Sequence, residues 1–135
     1  MRSIHARTAC ALLAALAVTL LSVAPAVAAP PANDDFDSAV AITALPFEAT
    51  QDTAEATRAA DDPECVDGDG HTVWYSFTPS ADVDVVVDTF GSDYDTTLSA
   101  WTGTRGALSQ VACNDDFQSL QSRIAFTANA GSPTT

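Results

Sequence analysis

Three short runs of side-chain oxygen stand out in this 135-residue chain: Asn33-Asp34-Asp35, the pair Asp93 and Asp95, and Asn114-Asp115-Asp116. A hard divalent cation such as calcium takes six to eight oxygen ligands from flexible loops, and these runs supply that ligand type. Asp93 and Asp95 lie two apart, so an extended backbone sends both carboxylates the same way. The twelve-residue ligand spacing of an EF-hand, with its terminal Glu, does not occur. The same residues have a second use, because short acids and amides cap local backbone and both GSDYD and CNDD have turn composition. Spacing alone leaves calcium binding and turn capping both open.

Catalytic chemistry has less to work with. His71 stands at the start of a strand-like run, and no GxSxG turn offers a nucleophile for a Ser-His-Asp relay. One histidine and two cysteines that pair with each other cannot fill a zinc shell. Asp115 and Asp116 are adjacent and diverge, unlike two glycosidase carboxyls flanking a bond. No catalytic residue is assigned, and the chain is read as a non-enzyme. Among the aromatics Trp74, Tyr75, Tyr94 and Trp101, a platform for sugar or peptide is one use. Trp74 falls opposite the Val73, Tyr75 and Phe77 face, so Trp74, with Trp101, is the binding candidate and Tyr75 belongs to the core; packing in a second buried layer is the competing role for a Trp.

Behind these residues lies the order of the chain. MRSIHAR carries Arg2 and Arg7 without an acid and leads into ACALLAALAVTLLSVAPAVAA, an apolar run broken at Pro25 and ending in small residues. That is the layout of a cleaved signal-peptide helix spanning 1–28, followed by an exported product. Cleavage after Ala28 leaves Pro30 one place beyond the new terminus, whereas cleavage after Ala29 puts Pro30 at the scissile amide. Removal of the leader leaves 107 residues in which three arginines (Arg58, Arg105 and Arg123) face eighteen acids, a net charge of -15 with no lysine. Such a chain repels phosphate backbones and anionic lipid, which excludes nucleic acid and the membrane surface as partners. Acidity also keeps a secreted protein soluble. Arg105 and Arg123 each have carboxylates to pair with, at a typical gain below about 1 kcal/mol per exposed pair.

Cys10 departs with the leader, so Cys65 and Cys113 remain, and a disulfide in an oxidising compartment is the simple reading; two free thiols or a metal pair are the alternatives, and the sequence offers no second pair of ligands for a metal. Their 48-residue separation gives a stabilisation of about 4 kcal/mol by the chain-entropy estimate.

The elements that must position all this are strands. Residues 29–35, APPANDD, form a polar lead-in, and the domain spans 36–135. FDSAVAITALPFEAT alternates loosely up to Pro46, and 51–70 has no apolar periodicity and reads as a long loop anchored at Cys65. HTVWYSFT alternates as a strand, as does VDVVVDTF, with Val83, Val85 and Val87 on one face. DTTLSAWT, LSQVAC and SRIAFTA fit short strands, separated by TGTRG and NDDFQSLQ. Strands recurring every 8 to 14 residues between turn signals predict an all-β fold, an antiparallel β-sandwich of jelly-roll type. ANAGSPTT follows the last of them as a turn, which leaves an apolar sheet edge in need of a partner.

Together NDDF at 33–36, TVWYSFT at 72–78, DTFGSDYDTTLSAWTG at 88–103, VACNDD at 111–116 and SRIAFTANAG at 122–131 resemble the bacterial pre-peptidase C-terminal domain, across nearly all of the chain after the leader. The resemblance implies a jelly-roll β-sandwich in a secreted protein, acting as an accessory, targeting or substrate-binding module that engages an extracellular polymer or protein. It also implies calcium near the domain's N-terminus in some members, which singles out Asn33 and Asp34. Members of that family run on past the AxAG turn with one or two further strands, so the resemblance leads to the expectation that the last strands are missing. A ligand-free structural remnant of a longer secreted, protease-associated protein is the alternative reading.

Overall fold

The computed structural model describes residues 28–135. The signal-peptide expectation falls almost wholly outside the described residues; Ala28 and Ala29 are exposed. Six strands follow a single 3₁₀ turn at Phe36–Ser38: β1 (Val40–Ile42), β2 (Tyr75–Phe77), β3 (Val83–Asp88), β4 (Leu98–Thr104), β5 (Ala107–Asn114) and β6 (Arg123–Ala128). The described residues contain no α-helix, so the all-β reading stands. None of their elements is a helix long and apolar enough to cross a membrane.

Local sequence explains the pairings. TGTRG makes a two-residue connection, with Arg105 and Gly106 between the paired Thr104 and Ala107, and β4 and β5 run antiparallel from it. Gly103 sits in the left-handed region at φ 114°, and a Cβ there would lie 2.5 Å from the Ala107 carbonyl oxygen, so only glycine fits. β3 and β6 pair antiparallel from Val83 opposite Ala128 to Asp88 opposite Arg123. β1 and β2 instead run parallel, Val40 opposite Tyr75 and Ile42 opposite Phe77. That departs from the all-antiparallel expectation, and the long loop is the reason: parallel neighbours need a long crossover, and residues 43–74 provide one without any strand of their own.

The C-terminal residues lie between β2 and β4. The Phe77 amide donates to the Thr134 carbonyl (2.8 Å), the Thr134 amide returns a bond to the Phe77 carbonyl (2.9 Å), and the Thr135 amide donates to the Trp101 carbonyl (2.9 Å). Those pairings continue the chain past the turn after β6 as a bridge onto β2 and β4, while β6 itself pairs with β3. They also tie β1–β2 to β4–β5, while β6 packs against both β4 and β5.

The core is small: Ala56, Trp74, Val85, Ala100, Trp101, Ile124 and Ala128 are buried. Val85, Ile124 and Ala128 obey the period of two in β3 and β6, whereas the register shift between Ala100 and Trp101 accompanies burial of two neighbours in sequence. With so little apolar volume, the Cys65–Cys113 disulfide, closing 48 residues across a Cα–Cα distance of 5.7 Å, carries a large share of the net stability.

Two expectations about HTVWYSFT need correcting. The strand is confined to Tyr75–Phe77, because His71 adopts φ 55° and the Trp74 amide is taken by the Asn33 carbonyl at 2.8 Å. Trp74 also faces no solvent. It is 5 % exposed and meets Phe36 edge-on at 5.2 Å between ring centroids, so the lead-in covers the face that alternation left open.

Candidate functional site

Two of the three acidic runs have a structural occupation. The buried Asn33 amide donates to the Trp74 carbonyl at 3.1 Å. Asp34 accepts from the Thr57 amide (2.5 Å) and the Thr57 hydroxyl (2.7 Å), pinning the long loop to the lead-in. Asp35 caps the 3₁₀ turn by accepting from the Asp37 amide at 2.9 Å and takes a further bond from Arg105. Farther along, Asp115 accepts from the Thr97 hydroxyl (3.1 Å), and Asn114 accepts from the Arg123 amide (2.9 Å) while donating to the Asp116 carbonyl (3.1 Å). Asp93 and Asp95 are exposed.

This is the turn-capping use of short acids, and it bears on whether the residues fit calcium. A calcium ion needs its oxygens aimed at one point, at 2.3–2.6 Å. Asn33, Asp34 and Asp35 bond instead to separate partners, Trp74, Thr57, and Asp37 with Arg105, and among the described residues no group of three or more His, Cys, Asp or Glu side chains converges to hold a metal. The N-terminal run does not fit the ion. The same economy runs through the loop, where Asp62 accepts from the Ala59 amide and Asp69 from the Cys65 and Val66 amides, each near 3 Å.

The aromatic candidates move as well. Trp74 and Trp101 are both buried, at 5 % and 6 % exposure, so neither offers a ring to a ligand. The Trp101 indole donates to the Ser99 hydroxyl at 2.8 Å, and the Trp74 indole N–H has no hydrogen-bond partner among the described residues. His71 is exposed in the left-handed region.

Exposed apolar side chains occur at several places, including Val40, Leu45, Phe47 and Val111, and one aromatic group among them lies at the end of the β3–β6 pair. Phe90 follows β3 and is 52 % exposed; its ring lies 6.1 Å from that of Phe117, in the loop before β6. The Arg123 guanidinium sits over the Phe117 ring, 5.5 Å from its centroid, in place of the carboxylate pairing expected of it. Leu120, 51 % exposed, stands in the same loop beside Asp116, Gln118 and Ser119, and these four line a shallow cleft of about 360 Å³.

Sequence folds the two loops together through buried hydroxyls. Ser122 is fully buried; its amide donates to the Thr89 hydroxyl (2.8 Å), and its own hydroxyl contacts the Thr96 and Asp115 carbonyls. The Thr89 and Thr96 hydroxyls bond each other at 2.6 Å, and the Thr96 amide donates to the Leu120 carbonyl at 2.8 Å. Gln121 closes the group by donating to the Ser92 carbonyl (3.0 Å), while its carbonyl takes the Phe117 amide (2.8 Å). Gln118, at φ 67°, holds a left-handed conformation unusual for a residue with a side chain, of the kind that collects at ligand-binding loops. Phe90, Phe117, Leu120 and Arg123 are the site residues that sequence reading missed. The available signal was the placement of single aromatic or apolar residues inside Gly-, Asp- and Ser-rich turns, where burial is not their natural fate.

No family model, no curated protein and no solved structure matches the chain.

Proposed function

We propose that this chain is a secreted, non-catalytic accessory module of the pre-peptidase C-terminal type, a jelly-roll sandwich that engages an extracellular polymer or protein through the edge formed by Phe90, Phe117, Leu120 and Arg123. The observation that carries the reading is the exposed Phe90 ring beside the Phe117–Arg123 stack, with the exposed Leu120 in the same loop as Phe117, on loops pinned by the Thr89, Thr96 and Ser122 hydroxyls. Apolar surface displayed on loops that are otherwise fastened to a scaffold is the usual mark of a recognition surface. An acidic exterior surrounds it and favours partners that are neutral or basic over anionic ones. The five sequence blocks of the family resemblance and the leader support export and accessory character. Retention of the exported chain on insoluble collagen, chitin or cellulose, or on a protein recovered by cross-linking from culture medium, tests the proposal. Failure to bind any of them would remove it.

A further inference from the structure

The lone guanidinium at the tip of the β4–β5 hairpin is surrounded by carboxylates from two other parts of the chain. Arg105 donates through Nη1 to Asp35 (2.6 Å) and to Asp37 (3.3 Å), and through Nε and Nη2 to the two oxygens of Asp61 (2.8 and 3.1 Å). Asp35 and Asp37 belong to the 3₁₀ turn where the lead-in enters the domain, and Asp61 lies in the long crossover loop. The three segments have no strand pairing with one another; Asp34 joins the lead-in to the crossover loop through Thr57, and Arg105 joins the hairpin tip to both.

We infer that Arg105 is the resident cation of the cluster formed by Asp35, Asp37 and Asp61, next in sequence to the Asn33 and Asp34 that the family resemblance singles out for calcium, and that this cluster needs no metal. The spacing of the carboxylates supports this. A guanidinium offers donors on three separate nitrogens in a planar fork, and the carboxylates are distributed over Nε, Nη1 and Nη2; they are placed for an extended planar ion and not for the single centre that a metal demands. The Asp61 contact is the two-bond fork that arginine makes and lysine cannot. The Asp35 oxygen that accepts from the Asp37 amide is the one that Arg105 contacts, so the turn's cap and the cluster share one carboxylate oxygen.

Thermal unfolding of the exported chain in chelator and in millimolar calcium chloride, alongside the Arg105→Gln and Arg105→Lys variants, tests the inference. The unsubstituted chain is expected to unfold at the same midpoint in both solutions. Arg105→Gln is expected to unfold several degrees lower in chelator, with Arg105→Lys in between, because lysine keeps the charge and loses the fork. A calcium-dependent rise in the midpoint of the unsubstituted chain would overturn the inference, as would an Arg105→Gln variant as stable as its parent. If Arg105→Gln does not fold, calorimetric titration of the unsubstituted chain with calcium and the midpoint of Arg105→Lys decide the matter: heat of binding, or a Lys midpoint equal to that of the parent, defeats it.

Discussion

Asn33 and Trp74 exchange two hydrogen bonds across 41 residues of sequence, the Trp74 amide donating to the Asn33 carbonyl at 2.8 Å and the Asn33 side chain donating to the Trp74 carbonyl at 3.1 Å. The Trp74 carbonyl also accepts from the Val40 amide at 3.0 Å, so both of its lone pairs are used. Lead-in, first strand and tryptophan are thereby locked at one point beneath the Phe36 ring.

Asn33→Ala removes one buried bond while the Trp74 carbonyl keeps the Val40 amide, and is expected to cost about 0.5–1.5 kcal/mol, the net worth of one hydrogen bond. Asn33→Asp places a charge in the same 1 %-exposed position and should cost more. Urea unfolding of the two variants beside the parent measures both, and a parent-like midpoint for Asn33→Asp would contradict the described packing.

Gly103→Ala should be among the most damaging single-methyl additions available. Its Cβ meets backbone at 2.5 Å and its φ is 114°, so neither the neighbour nor the residue itself can give way cheaply. Left-handed strain alone costs on the order of 1–3 kcal/mol, and disruption of the β4–β5 hairpin adds to it. Gly106→Ala, which meets no heavy atom within 4 Å, is the control that isolates the conformational part; equal losses from both would refute the steric account.

Phe90→Ser and Leu120→Ser are expected to abolish retention on whatever polymer or protein the chain binds. Exposed side chains outside the core change stability by only about 0.5 kcal/mol, so the unfolding midpoint should stay put. Trp101→Phe, inside the core, should show the opposite pattern: lowered stability and unaltered affinity in the folded fraction.

Acid should separate the parent from Arg105→Gln. Hydrogen bonds from Arg105 hold the carboxyls of Asp35 and Asp61 below the ordinary aspartate value. A carboxylate lowered on folding contributes stability that is complete above its unfolded pKa and is lost as pH falls through the lowered folded pKa. The parent is therefore expected to lose stability between about pH 4 and the more acid folded values, while Arg105→Gln, whose carboxyls no longer have that partner, stays flatter over the same range. Midpoints recorded from neutral to acid pH give the comparison, and parallel curves would rule the linkage out.

What the sequence disclosed was set by what each residue has to do locally. Val85, Ile124 and Ala128 could be read because alternation in β3 and β6 needs only one covered face. The Cys65–Cys113 bond followed from counting, and TGTRG was legible as a break between strands although Thr102–Thr104 continue β4 and only Arg105 and Gly106 turn. Trp74 was misplaced because alternation says which face a side chain takes and nothing about what covers that face; the cover came from Asn33 and Phe36, forty residues away. The parallel β1–β2 pair was hidden for a similar reason, since neither strand records the direction of its partner. The Phe90–Phe117 contact depends on a cluster of hydroxyls that are individually ordinary Ser and Thr residues in strand ends and turns.

The disulfide makes the stretch from Cys65 to Cys113 a covalent ring, and Phe90 and Tyr94 project from it into solvent. A protease that cuts after either aromatic opens the ring without dividing the molecule: both pieces migrate as one species until a reductant is added. A nick at Phe90 or Tyr94 thus alters the exposed loop locally while leaving the polypeptide in a single covalent body.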